Sequence, residues 1–139
     1  MTIWLRAVFT AILVALPIAA SAAGGSSQER ALLAAQDAFL AGDKAKLARH
    51  AEKIRGHTLD SYVAFWRLRL RLEEADPGEL RDFLARNEGT VLAERLRRDW
   101  LLVLGKKGQW EIFREEYSVL VKADPDVACY ALQERWRRQ

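Results

Sequence analysis

Two adjacent pairs of carboxylates, Glu73 with Glu74 and Glu115 with Glu116, are the first residues in this chain whose types suggest chemistry. Acid/base cleavage needs two carboxyl groups that converge on one bond. Neighbouring residues on a helix project about 100° apart, so neither pair reads as a catalytic couple. His50 and His57 have no companions at metal-ligand spacing and read as surface or loop residues, and no metal site is expected. The chain has no Gly-rich phosphate loop and no nucleophile elbow, and no cofactor is expected. What remains is a set of arginines. Arg67 and Arg71 fall on one edge of a helix with Arg69 on the other, and Arg97 and Arg98 are adjacent in a later helix. They read either as a solvated rim or, for Arg67, Arg71, Arg97 and Arg98, as a contact edge for a glycan or a protein partner.

The elements that would position these residues are helical. Thr90 to Val121 contains two runs with apolar residues at spacings of three and four, flanking Gly105-Lys106-Lys107-Gly108. Thr90 can cap the first run, whose stripe is Val91, Leu92, Leu96, Trp100, Val103 and Leu104, and Gly105 is expected to stop it in a left-handed conformation. The second run carries Trp110, Phe113, Tyr117, Leu120 and Val121. A connection this short folds the stripes onto each other, which predicts an antiparallel pair with Trp100 and Trp110 as neighbours.

Earlier in the chain a helix over 29–41 is closed by Gly42, and Asp43 caps a second with Leu47, Ala51 and Ile54 on one side. A third, over about 58–75, includes Trp66 to Leu72, where apolar and basic residues alternate as in a strand. Its wider pattern is helical, because Leu59, Val63, Trp66 and Leu70 form one stripe and Ser61, Phe65, Leu68 and Leu72 form another. The stripes lie nearly opposite each other, so this helix must be covered on both sides. Asp76-Pro77 and Asp124-Pro125 are helix-start signatures. They introduce a short helix burying Leu80, Phe83 and Leu84, and a last one burying Val127, Ala128, Ala131 and Leu132, with Trp136 a further candidate for that side. The expected fold class is all-α, an α-solenoid or superhelix of antiparallel helix hairpins.

Export is expected as well. Arg6 is the only charge in residues 1–22, the run from Ala7 to Ala20 is apolar, and Ala20-Ser21-Ala22 offers the small residues of a cleavage site. The expected organisation is a signal peptide over 1–22, a linker over 23–28 and a helical domain over 29–139, with no membrane segment after cleavage. A formal net charge of +3, from 22 basic and 19 acidic residues, is too small and evenly spread to indicate nucleic acid. Cys129 is the only cysteine. In an exported chain it is either a buried reduced thiol or half of a disulfide whose partner lies outside this sequence.

Trp66, Trp100 and Trp136 recur at intervals of 34 and 36 residues, close to the period of a repeat made from helix pairs. The tetratricopeptide signature is approached at Trp100 to Gly105, but the expected tyrosine is absent. A closer resemblance runs through DPGELRDFLARNEGTVLAERLRRDWLLVLGKKGQWEIF and ADPDVACYALQERW, with Asp99-Trp100, Gln109-Trp110 and Cys129-Tyr130 as matching elements. Over roughly residues 30–138 the chain resembles the N-terminal superhelical region of the soluble lytic murein transglycosylases of proteobacteria. The resemblance implies a periplasmic protein of peptidoglycan metabolism, in which a ring or horseshoe of helices frames a lysozyme-like catalytic domain.

That family cleaves the β-1,4 bond between N-acetylmuramic acid and N-acetylglucosamine with a single glutamate, which is followed by serine, and a Gly-Leu-Met-Gln-like segment lies downstream. No glutamate here precedes a serine and the only methionine is Met1, so no catalytic residue carries over. Three readings follow. The first is a non-catalytic scaffold, either cut short before the catalytic domain or free-standing, whose partners are glycan strands or a lysozyme-like domain. The others are an enzyme with an unrecognised catalytic group and a tetratricopeptide-like periplasmic adaptor.

Overall fold

Caps written into the sequence set most of the helix starts. The computed structural model describes residues 26–122 and 124–139, and among them are seven helices and no strand. They are α1 (Ser27–Leu40), α2 (Lys44–Ala51), α3 (Asp60–Leu70), α4 (Pro77–Arg86), α5 (Val91–Lys107), α6 (Trp110–Ser118) and α7 (Pro125–Trp136). Asp43, Asp76, Thr90 and Asp124 each accept a hydrogen bond from an amide in the first turn of the helix they precede. The expected signal peptide lies outside the described residues.

Three boundaries differ from the sequence reading. The linker expected over 23–28 ends sooner, because Ser26 and Glu29 form a reciprocal capping box and α1 begins at Ser27. The third helix is shorter than 58–75, since α3 stops at Leu70 and a chain of turns leads to Asp76. Asp76 is extended, as the residue before a proline prefers. The fifth helix does not stop at Gly105. It continues to Lys107, and Gly108 takes the left-handed conformation with φ of 67°.

Packing proceeds in overlapping sets. α1, α2 and α3 pack together, α3 also meets α4 and α5, and α5 in turn meets α6 and α7. The alternating stretch from Trp66 to Leu72 is resolved by this arrangement. Phe65, Leu68 and Leu72 enter the larger core with Leu96, Trp100, Leu104 and Phe113, whereas Val63 enters a smaller core with Ala35, Leu47 and Ile54. Trp66 touches both, and its ring stacks on Phe39 at 5.7 Å between centroids. The two-sided burial expected of this helix is therefore present, although Leu59 at its start is exposed.

Side-chain expectations fail at specific places. Val91 and Val121 are exposed, and Leu101 takes a fully buried position that the expected stripe omitted. Trp100 and Trp110 join the same core, but Trp110 has Phe113 as its aromatic neighbour, at 5.9 Å, and not Trp100. On α7 the buried residues are Val127, Ala131 and Glu134, while Ala128 is half-buried. Leu132 and Trp136 are exposed at 56% and 79%, against the expectation that the helix buries them. The stripe of α7 turns toward α5, because Tyr130 lies over Gly105 and fixes the rotation of the helix.

Candidate functional site

The four arginines of the expected contact edge have unlike surroundings. Arg67 is exposed on α3 and has no ion-pair partner among the described residues, whereas Arg71 beside it is paired with Glu79. Arg97 is mostly buried between Glu94 at 2.9 Å and Glu116 at 3.3 Å. Arg98 contacts Asp99 at 2.7 Å and reaches Asp124, the cap of α7, at 3.1 Å. Arg67 and Arg71 do share one shallow depression with Lys44, as their helical spacing implied. Lys44 in turn is matched by Glu74 at 3.1 Å.

Asp99 connects more than its neighbour. Its second oxygen accepts from Arg69 of α3 at 2.7 Å, so a chain of charges runs from α3 through Asp99 and Arg98 to the start of α7. The Arg69 guanidinium also lies 6.0 Å from the Phe39 ring centre and 5.9 Å from that of Phe65, which brings α1 into the same contact. The hydrogen bond to Asp99 raises Arg98 above its ordinary pKa; partial burial opposes the shift, and the charges of Asp99 and Asp124 add to it. A cation whose pKa is raised on folding contributes stability that is fully present below its unfolded value and lost only as pH climbs through the folded one. For an arginine that window lies in strong alkali, so the contribution is constant around neutrality.

The carboxylate pairs take unlike roles. Glu73 and Glu74 lie in the turns after α3 and not on a helix as expected, and they diverge toward Lys106 at 3.4 Å and Lys44 at 3.1 Å. Glu115 and Glu116 instead meet at one guanidinium, that of Arg81 on α4, at 2.6 and 3.2 Å. Glu116 is 7% exposed and bridges Arg81 to Arg97, tying α4, α5 and α6 together. With their oxygens held by guanidinium groups, these carboxylates are structural clamps.

A second buried carboxylate, Glu134, is 5% exposed and pairs with Arg138 at 2.9 Å and more loosely with Arg114 of α6 at 3.6 Å. Beside it a groove of about 530 Å³ opens between α6 and α7, floored by Phe113, Tyr117 and Ala131 and edged by Leu132. The sequence reading weighed Glu116 only as half of an acid/base couple and passed over Glu134, and it expected neither to be buried. The signal was their position, since Glu116 is three residues after Phe113 and Glu134 three after Ala131, each on the apolar stripe of its helix.

The remaining chemical residues stay isolated. No group of three His, Cys, Asp or Glu able to hold a metal occurs among the described residues. His57 Nδ1 accepts from the Leu59 amide at 3.1 Å, and His50 Nδ1 is buried without a hydrogen bond. Cys129 is exposed, which corrects the expectation of a buried thiol and leaves it unpaired among the described residues. No described helix is long and apolar enough to cross a membrane. Compared with known proteins the chain shows no match, whether to a family model, a curated protein or a solved structure.

Proposed function

We propose that this chain is a non-catalytic α-solenoid scaffold exported to the periplasm, of the kind that frames the lysozyme-like domain in soluble lytic murein transglycosylases. The observation that carries the reading is the two-sided burial of α3, which joins two hydrophobic cores through Trp66. A helix covered on both faces is the unit from which layered helix hairpins are built, each contacting only its neighbours. The sequence of contacts along the chain fits the same plan, because α1 and α2 meet α3 but none of the later helices. The engagement of Glu115 and Glu116 by Arg81 supports a supporting role over a hydrolytic one.

The partner-facing region in this reading is the outer side of α7, where Leu132 and Trp136 are exposed one turn apart beside the α6–α7 groove. That same apolar edge favours a second reading, a tetratricopeptide-like adaptor that binds a periplasmic protein. Incubation of the chain with purified murein sacculi, followed by sedimentation and analysis of released muropeptides, tests the first. Retention on the sacculi without 1,6-anhydro products is expected. Cleavage that vanishes when one of the chain's own carboxylates is replaced would sink the scaffold reading. Retention of a protein from periplasmic extract, with none on sacculi, would transfer the case to the adaptor.

A further inference from the structure

The end of α2, the first turns of α3 and the end of α4 line a cleft of about 360 Å³. Its floor is apolar, with Val63 and Phe83 almost fully buried beneath it. Its walls carry three arginines, Arg55, Arg67 and Arg86, one from each of the three chain segments. At the other depressions most arginines are matched by carboxylates, Arg71 by Glu79, Arg81 by Glu115 and Glu116, and Arg114 and Arg138 by Glu134, with Arg135 of the α6–α7 groove the single unmatched one there among the described residues. In the cleft only Arg55 has such a partner, Glu52 at 2.9 Å. Arg67 and Arg86 have none among the described residues, and both line one concave surface.

Charge and shape together define what would fit. Asp60, which also lines the cleft and accepts from the Gly56 amide at 3.3 Å, offsets one of the two unmatched guanidinium groups. The helix dipole at the end of α4 offsets Arg86 only in part, since its weight is about half a charge. The balance left in the cleft is positive, about half a charge. Ser61 and Asn87 add polar groups to the lining, but the amide nitrogen of Asn87 is committed to the Phe83 carbonyl at 2.9 Å. Guanidinium forks match the two oxygens of a carboxylate, and an apolar floor suits a flat or aliphatic body. The volume lies in the range of small-ligand pockets.

We infer that the cleft between α2, α3 and α4 binds a small monocarboxylate, its carboxyl group held by Arg67 and Arg86 and its body lying against Ala64, above the buried Val63 and Phe83. This site is independent of murein recognition and of the α7 edge. Benzoate and benzamide are suitable probes, being nearly isosteric and differing in charge, with inorganic phosphate as the competing oxyanion. Titrating the full chain by amide NMR, benzoate should produce saturable shifts at Ser61, Ala64 and Asn87, and benzamide should not. Both arginines are on the surface, so Arg67→Gln with Arg86→Gln should keep the circular dichroism and melting of the parent while weakening benzoate binding by about tenfold or more. The same change at Arg95 on α5, outside the cleft, should leave binding intact. Equal binding of benzamide, shifts that map elsewhere, an unaltered double variant or phosphate binding tighter than benzoate would each overturn the assignment.

Discussion

At the scale of single residues, Glu115 and Glu116 show how far apart adjacent side chains can stand in energetic terms. Both contact Arg81, but the Glu115 side chain is 59% exposed and that of Glu116 only 9%. An exposed ion pair is worth about 0–1 kcal/mol, because water already solvates both partners. Removing one member of a buried pair costs about 3–5 kcal/mol when the other is stranded. Glu116→Gln is expected to fall just below that range, at about 2–3 kcal/mol, because Glu94 still holds Arg97 after the change. Glu115→Gln should cost no more than about 0.5 kcal/mol. Urea denaturation of the two variants checks this, and equal losses would show that Glu116 is not the clamp between α4, α5 and α6. Locally the two differ only in that Glu116 falls three residues after Phe113, on the buried stripe of α6. Their difference comes from Arg81 and Arg97, which are 35 and 19 residues away along the chain.

At the scale of elements, the helix starts were legible because a cap acts within three residues of itself, as Asp43, Asp76, Thr90 and Asp124 all do. The end of α5 was not legible in the same way. Gly105 and Gly108 are both sensible stops, and the choice between them is made by Tyr130 on α7. A Cβ placed on Gly105 would come within 2.6 Å of the Tyr130 ring at Cδ1, whereas Gly108 has ordinary space around it. Gly105 is thus a packing residue inside the helix and Gly108 a backbone one at its end. Gly105→Ala sets two effects against each other. Better helix propensity contributes about 1 kcal/mol, and overpacking against a ring costs about 1–3 kcal/mol. The ring lies directly over the glycine, so net destabilisation of about 1–2 kcal/mol is expected. In a Tyr130→Ala background the same glycine change should become stabilising, and thermal melts of the four proteins complete the cycle. A glycine change that destabilises equally in both backgrounds would place its cause in the backbone.

At the scale of the whole molecule, the all-helical class and the two-sided α3 followed from periodicity alone, since stripes at opposite angles fix which faces must be covered. Which way the last helix faces did not follow, because Leu132 and Trp136 are as apolar as Val127 and Ala131 and only docking on α5 decides between them. The result is a large apolar pair left in water one helical turn apart, of which Leu132 lies at the edge of a groove already lined by Phe113 and Tyr117. Covering an exposed leucine or aromatic side chain is worth about 1.5–3 kcal/mol, enough together to drive association but not enough alone to make it permanent. The chain is therefore expected to self-associate weakly in the absence of a partner, with a concentration-dependent sedimentation coefficient. Leu132→Lys together with Trp136→Lys should abolish that dependence while shifting the melting temperature little, since neither side chain contributes to the core. The same double variant should also lose whatever protein the α7 edge retains, and it should leave the arginine cleft between α2, α3 and α4 unaffected. A parent that sediments as a concentration-independent monomer, and a double variant that retains its partner undiminished, would move the contact face away from α7.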